Sequence, residues 1–174
     1  MIAIEFSRPV PVDRLGHDER VYDIEANADE RAALAQRYGI LAVEALVAKL
    51  RVKRLPGGAL IRVDGHFSAD VVQSCVVSLE PVPEHVEEDF VLTFATGRDE
   101  DPEEVVIAMD EEDPPEPIEN GIVDIGEAVA EHLALAIEPF PRAPNAVFLG
   151  GDEPPPEPPA KANPFAALVS MKKK

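Results

Sequence analysis

The most regular stretch of the chain lies on either side of Pro56-Gly57-Gly58. Residues 44–55 and 59–72 alternate apolar and polar side chains with a period of two. Two such arms around a glycine pair predict an antiparallel hairpin. With Gly57-Gly58 as a two-residue loop, Val52 falls opposite Val63, Leu50 opposite Gly65, Ala48 opposite Phe67 and Leu46 opposite Ala69, so one face is apolar. Alternate side chains project to the other side. There Lys53 meets Arg62, Arg51 meets Asp64 and Lys49 meets His66. A slip of one residue would exchange the two faces.

Weaker alternation marks short strands at residues 2–6 and 20–25, and residues 86–94 add a strand with Phe90, Leu92 and Phe94 on one side. Between them, Ala28–Tyr38 carries both terminal signals of a helix. Asn27 precedes it, Asp29 and Glu30 sit near its positive end, and Gly39 stops it. A second helix follows from Ile125, Val129, Leu133, Ala136 and Ile137, which recur at helical spacing up to Pro139. Asp124-Ile125-Gly126-Glu127 has the spacing of a capping box in which Glu127 reaches back. Near the end, Asn163-Pro164 opens a short helix that presents Phe165, Leu168 and Val169, with Lys172, Lys173 and Lys174 at its negative pole. The expected fold is α+β: an antiparallel sheet, open or strongly curved, covered by one or two helices.

Charge refines the organisation. The 174 residues carry a net charge of −18, and residues 99–119 hold 11 acidic side chains, no basic ones and four prolines. Like-charge repulsion and proline disfavour a packed element there, so this is an expected mobile acidic loop. Residues 150–163 hold five prolines and three acids, the composition of a stiff extended spacer. The domain is therefore expected at residues 1–149, with 150–174 as proline-rich spacer and docking segment. A hydrophobic content of 45% supports a packed core. A single cysteine excludes an internal disulfide and a structural zinc set. The chain lacks a signal-like apolar stretch and any run near the ~18 apolar residues of a membrane span, which points to a soluble, cytoplasmic protein.

Catalytic chemistry finds little support. Gly57-Gly58 and Gly150-Gly151 lack the spacing of a phosphate loop, and His17, His66, His85 and His132 form no metal or relay motif. His132, on the covering helix, reads as structural. The carboxylates lie in solvated proline-rich runs rather than in a buried dyad. No enzyme activity, metal or cofactor is expected. Three features suit binding instead. The basic hairpin residues Lys49, Arg51, Lys53, Arg54 and Arg62 are RNA-binding candidates. The acidic loop suits a basic protein, or competes with RNA for the hairpin. Phe165, Leu168 and Val169 either engage a partner or dock back on the chain's own core.

Four separated stretches resemble the bacterial YceD family, whose members are associated with accumulation of large-subunit (23S) ribosomal RNA. Glu5-Phe6-Ser7-Arg8-Pro9-Val10-Pro11-Val12-Asp13-Arg14-Leu15-Gly16 with the following helix is similar to that family's N-terminal part. Cys75-Val76-Val77-Ser78-Leu79-Glu80-Pro81 resembles its Cys-x-x-Cys-Leu-x-Pro signature, with Ser78 in place of the second cysteine. Asp124 to Glu127, Leu133 to Ala136, Pro139-Phe140-Pro141-Arg142 and Asn163-Pro164-Phe165-Ala166-Ala167-Leu168 resemble its helix, exit and ending. The resemblance implies a factor acting on 23S rRNA or the immature large subunit, the alternative being an acidic chaperone for a basic ribosomal protein. With Cys75 alone, a thiolate pair is impossible, and Cys75 reads as a small buried residue at a strand end.

Overall fold

A computed structural model describes residues 4–16, 18–95, 114–118 and 120–147. In chain order the elements are β1 (Pro9–Pro11), a 3-10 turn (Val12–Arg14), β2 (Arg20–Glu25), α1 (Ala28–Tyr38), β3 (Ala42–Arg54), β4 (Leu60–Ser74), β5 (Pro81–Ala95), β6 (Glu116–Pro117), β7 (Ile122–Asp124) and α2 (Ile125–Ala136). A five-stranded sheet runs β2-β3-β4-β5-β6, antiparallel except for the parallel β5–β6 pair, and β1 pairs with β7 in a separate two-stranded ribbon. The fold is α+β, as expected.

The hairpin register is the one that the hydrophobic pattern dictates: Val52 faces Val63, Leu50 faces Gly65, and Lys53 faces Arg62. The loop itself is longer than two residues. Leu55 N–H donates to Leu60 O at 2.8 Å and Gly58 N–H to Leu55 O at 3.0 Å, with Gly57 at φ 93° and Gly58 at φ 77°. Pro56-Gly57 thus fills the centre of a type II turn inside a four-residue connection. Because the longer loop is centred on the same pair, the register is unchanged. Further along, the register shifts between Val43 and Ala45, so Glu44 is an inserted bulge residue and Val43 joins the buried side with Leu46.

One side of the sheet is covered. Leu46, Leu50, Val52, Ile61, Val63 and Phe67 are at most 1% exposed and form one core with Leu34 of α1 and Ile125, Val129 and Leu133 of α2. Gly65 sits in this apolar row because Phe90, its cross-strand partner, lays its ring over the glycine; a Cβ there would fall 2.3 Å from the ring. Phe90 also stacks on His132 with centroids 4.1 Å apart, the structural role expected for that histidine. Tyr38 joins the two helices by donating its hydroxyl to Ala130 O at 2.8 Å, and burial raises its pKa.

Helix α1 has its expected limits: Asn27 accepts from the N–H groups of Asp29 and Glu30, Glu30 accepts from Asn27 N–H, and Gly39 ends it in the left-handed region at φ 67°. Helix α2 starts as expected at the Asp124 cap but ends at Ala136, two residues short of the residue before Pro139. Glu127 does not reach back to Asp124. Its carboxylate is held by Arg37 of α1 at 2.7 and 2.9 Å, a bidentate bond stronger than a neutral backbone donor offers.

Three strand expectations change. The stretch at residues 2–6 is not a strand in its described part. Phe6 is instead fully buried, with its carbonyl packed where a Gly126 side chain would lie. The ribbon forms one step later, at Pro9–Pro11, where alternate prolines turn their missing N–H groups away from the ladder. Strand β5 begins at Pro81 rather than near Val86. Among the described residues its far side is paired only at Phe94 and Ala95, so Pro81 and Pro83 face no strand there that needs a donor. The expected loop at 99–119 contains a short strand, Glu116–Pro117, anchored by Ile118 N–H to Ala95 O at 3.2 Å. Residues 96–113 and 119 lie outside the described residues, as do the spacer and Phe165, Leu168 and Val169.

Candidate nucleic-acid interface

The uncovered face of the sheet follows from the same alternation that builds the core. The β3 positions that alternate with the buried Leu46, Ala48, Leu50 and Val52 point outward, which places Val47, Lys49, Arg51 and Lys53 in a row. The register sets Ser68, His66, Asp64 and Arg62 of β4 beside them, then Glu87, Asp89, Val91 and Thr93 of β5, with Glu25, Asp23 and Val21 of β2 on the opposite flank. The cationic positions run diagonally toward the hairpin turn, and carboxylates frame them toward the other end.

Lys53 and Arg62 oppose each other across the ladder, an arrangement of like charges that costs free energy at directly paired positions. Asp64 relieves part of it by accepting from Arg62 Nε at 2.9 Å and Nη2 at 2.8 Å. That bond from Arg62 is the main reason the Asp64 carboxyl lies below the ordinary aspartate range, with Lys53 and Arg51 adding to the effect. Lys49 reaches Asp23 at 3.5 Å, both side chains being mostly exposed. Among the described residues, neither Arg51 nor Lys53 has a carboxylate within ion-pair distance.

Arg54 does not belong to this face. Its position in β3 gives it the parity of Leu50 and Val52, and its guanidinium donates to three backbone carbonyls: Val12 and Gly58 at 2.6 Å and Leu15 at 3.4 Å. It ties the 3-10 turn to the hairpin turn. The candidate interface therefore comprises four cations, Lys49, Arg51, Lys53 and Arg62, rather than five.

Two histidines lie among the framing carboxylates. His66 sits 3.0 Å from Asp89 and 3.3 Å from Glu87, and His85 lies 2.7 Å from Asp70, whose hydrogen bond raises the His85 pKa. These are pairs on an open sheet. Among the described residues no group of three or more potential ligands is placed to hold a metal ion. The outward positions of β2 to β5 carry no Phe, Tyr or Trp, so this face offers charge without a stacking platform.

The motif residues gather at the two ends of α2. Asp124 accepts from Ser7 Oγ, Arg8 N–H, Gly126 N–H and Glu127 N–H, which fixes the N-terminal segment on the start of α2. Arg8 continues the tie with two bonds to Glu30, at 2.7 and 2.9 Å, and one to Glu25 O. Cys75 follows β4 and is fully buried. Its Sγ receives N–H groups from Ala143, Ser78 and Val77 at 3.3 to 3.4 Å. Ala143 N–H, together with the Ser78 hydroxyl and N–H, pulls the thiol down to about 6, against the opposing effect of burial. Val76 N–H bonds Pro141 O at 2.9 Å, so the Cys75 turn and the α2 exit brace each other. Sequence reasoning named both segments; only the fold reveals that they touch.

The class of molecule is thus an α+β domain with helices on one face of an antiparallel sheet and a charged, open second face. The family of large ribosomal RNA subunit accumulation protein YceD matches residues 63–172, and the chain belongs to that family. The match takes in the Cys75 turn, α2 and the C-terminal segment, whereas Lys49, Arg51, Lys53 and Arg62 precede it, as does the N-terminal stretch that resembles the family. No curated protein and no solved structure matches the chain. Among the described residues no helix is long and apolar enough to cross a membrane.

Proposed function

We propose that the protein is a non-enzymatic factor supporting 23S rRNA accumulation and large-subunit assembly, and that it touches RNA through Lys49, Arg51, Lys53 and Arg62. Membership of the YceD family supports the ribosomal RNA setting. The observation that carries the contact is the like-charged Lys53–Arg62 pair, continued by an Arg51 that lacks a carboxylate partner among the described residues. A phosphate backbone relieves the repulsion that the ladder imposes. Without aromatic side chains on this face, the contact reads phosphates rather than stacked bases. The net charge of −18 opposes long-range attraction, so binding is local and falls steeply with salt.

A second reading rests on the carboxylates of the same face. Asp23, Asp70, Glu87 and Asp89 frame the cations, and the acidic stretch follows β5 in sequence. Such a surface suits a chaperone that shields a basic ribosomal protein. Affinity capture of the tagged protein from its native cytoplasm, with and without ribonuclease, separates the two. The first reading predicts 23S species that are lost when Lys49, Arg51, Lys53 and Arg62 are replaced by glutamate and kept when residues 99–113 are deleted. Recovery of one large-subunit protein that survives ribonuclease, with the opposite response to the two variants, would replace it by the second.

A further inference from the structure

We propose that the groove between the end of α2 and the α1–β3 connection is the seat of the chain's own residues 164–174. The groove measures about 470 Å³ and is walled by Tyr38, Ile40, Val76, Leu135, Ile137 and Pro141. Leu135 is 81% exposed and Val76 48%, while Phe140 and Leu41, adjacent in sequence to wall residues, are 70% and 56% exposed. Large apolar side chains gathered in this way at one site mark a surface that is covered in the working molecule.

Three observations select the C-terminal segment as the cover. The first is position. The last described residue is Val147, just beyond an exit that Val76 and Cys75 hold against the groove through Pro141 O and Ala143 N–H, so the remaining chain departs beside it. The second is reach. Sixteen residues, 148–163, separate that exit from Pro164, and a proline-rich sequence can reach ~3.1 Å per residue, a length that allows the segment to span the groove at high effective concentration. The third is charge. Glu84 and Glu138 lie at the groove, joined through Gln73 and the Glu138 N–H, and the last turn of α2 contains no basic residue to meet its negative pole. Lys172, Lys173 and Lys174 supply the missing cations, and Phe165, Leu168 and Val169, at helical spacing, supply the apolar side.

The test uses the full chain, labelled for amide NMR, with Phe165→Asp and Leu168→Asp together on one side and Leu135→Asp on the other. Leu135 is exposed, and thermal unfolding of each variant beside wild type checks that the fold is retained. The tail variant is expected to move the amides of Tyr38 to Leu41 and Ala134 to Glu138 and to leave the β3–β4 turn unmoved. It should also make hydrogen exchange in the last turn of α2 roughly threefold faster or more. Reciprocally, Leu135→Asp should move the amides of residues 164–174. Groove amides that ignore the tail variant would overturn the proposal. So would a dimer in sedimentation that dissolves on the tail substitutions, since the tail would then fill the groove of a second copy.

Discussion

The two faces of the β3–β4 ladder share one backbone and one register yet obey different constraints. On the inner face Leu50, Val52, Ile61 and Val63 are fully buried, and each is fixed by neighbours on both strands and on the helices. On the outer face the Lys49 side chain is 63% exposed and is held beyond the ladder by one exposed contact, with Asp23 at 3.5 Å. The inner face therefore specifies the fold. The outer face inherits an accurate spacing of charges at the small cost of the Lys53–Arg62 repulsion, and its residues bear little on the fold.

This contrast predicts a graded series of stability effects, measured by urea denaturation. Leu50→Ala, which empties the centre of the inner row, should cost about 3 kcal/mol, within the usual range for a buried leucine. Asp124→Ala should follow at about 2 kcal/mol, because it removes a helix cap and leaves the Ser7 hydroxyl and Arg8 N–H without their acceptor. Glu30→Gln should cost about 1 kcal/mol by breaking the paired bond to Arg8. That bond holds the Glu30 carboxyl below its ordinary range, so its stabilisation is complete above the unfolded carboxylate pKa of about 4.3 and is lost as pH falls through the depressed folded value. Wild type should accordingly lose more stability than Glu30→Gln between neutral and strongly acidic pH. Lys53→Gln on the outer face should change stability by less than about 0.5 kcal/mol, and in the stabilising direction, because it removes the repulsion with Arg62. A large destabilisation there would mean that the outer face, too, is structural.

The same contrast explains what could be read from sequence. Burial imposes the period of two on residues 46–54 and 61–73, so the register was legible to the residue, and capping chemistry made the limits of α1 legible in the same way. The Glu44 bulge leaves only a faint trace, the buried pair Val43 and Leu46 standing three apart instead of two. Parity could have removed Arg54 from the basic face, since it follows Leu50 and Val52 at even spacing; its cationic type concealed this. Prolines hid β1 and the start of β5, because their tolerance depends on which edge is left unpaired, a property of the assembled sheet. The bracing of the Cys75 turn by Pro141 and Ala143 joins residues more than 60 positions apart, which no local pattern records.

We propose that the outer face of the β3–β4 ladder meets RNA phosphates. The most direct test is the salt dependence of binding to 23S rRNA by wild type and by a variant with Lys49, Arg51, Lys53 and Arg62 replaced by glutamine. Each phosphate contact contributes about 0.7 to 0.9 to the slope of log affinity against log salt, so the variant should bind more weakly with a slope smaller by about 3. An unchanged affinity and slope in a variant that folds as wild type does would rule this contact out.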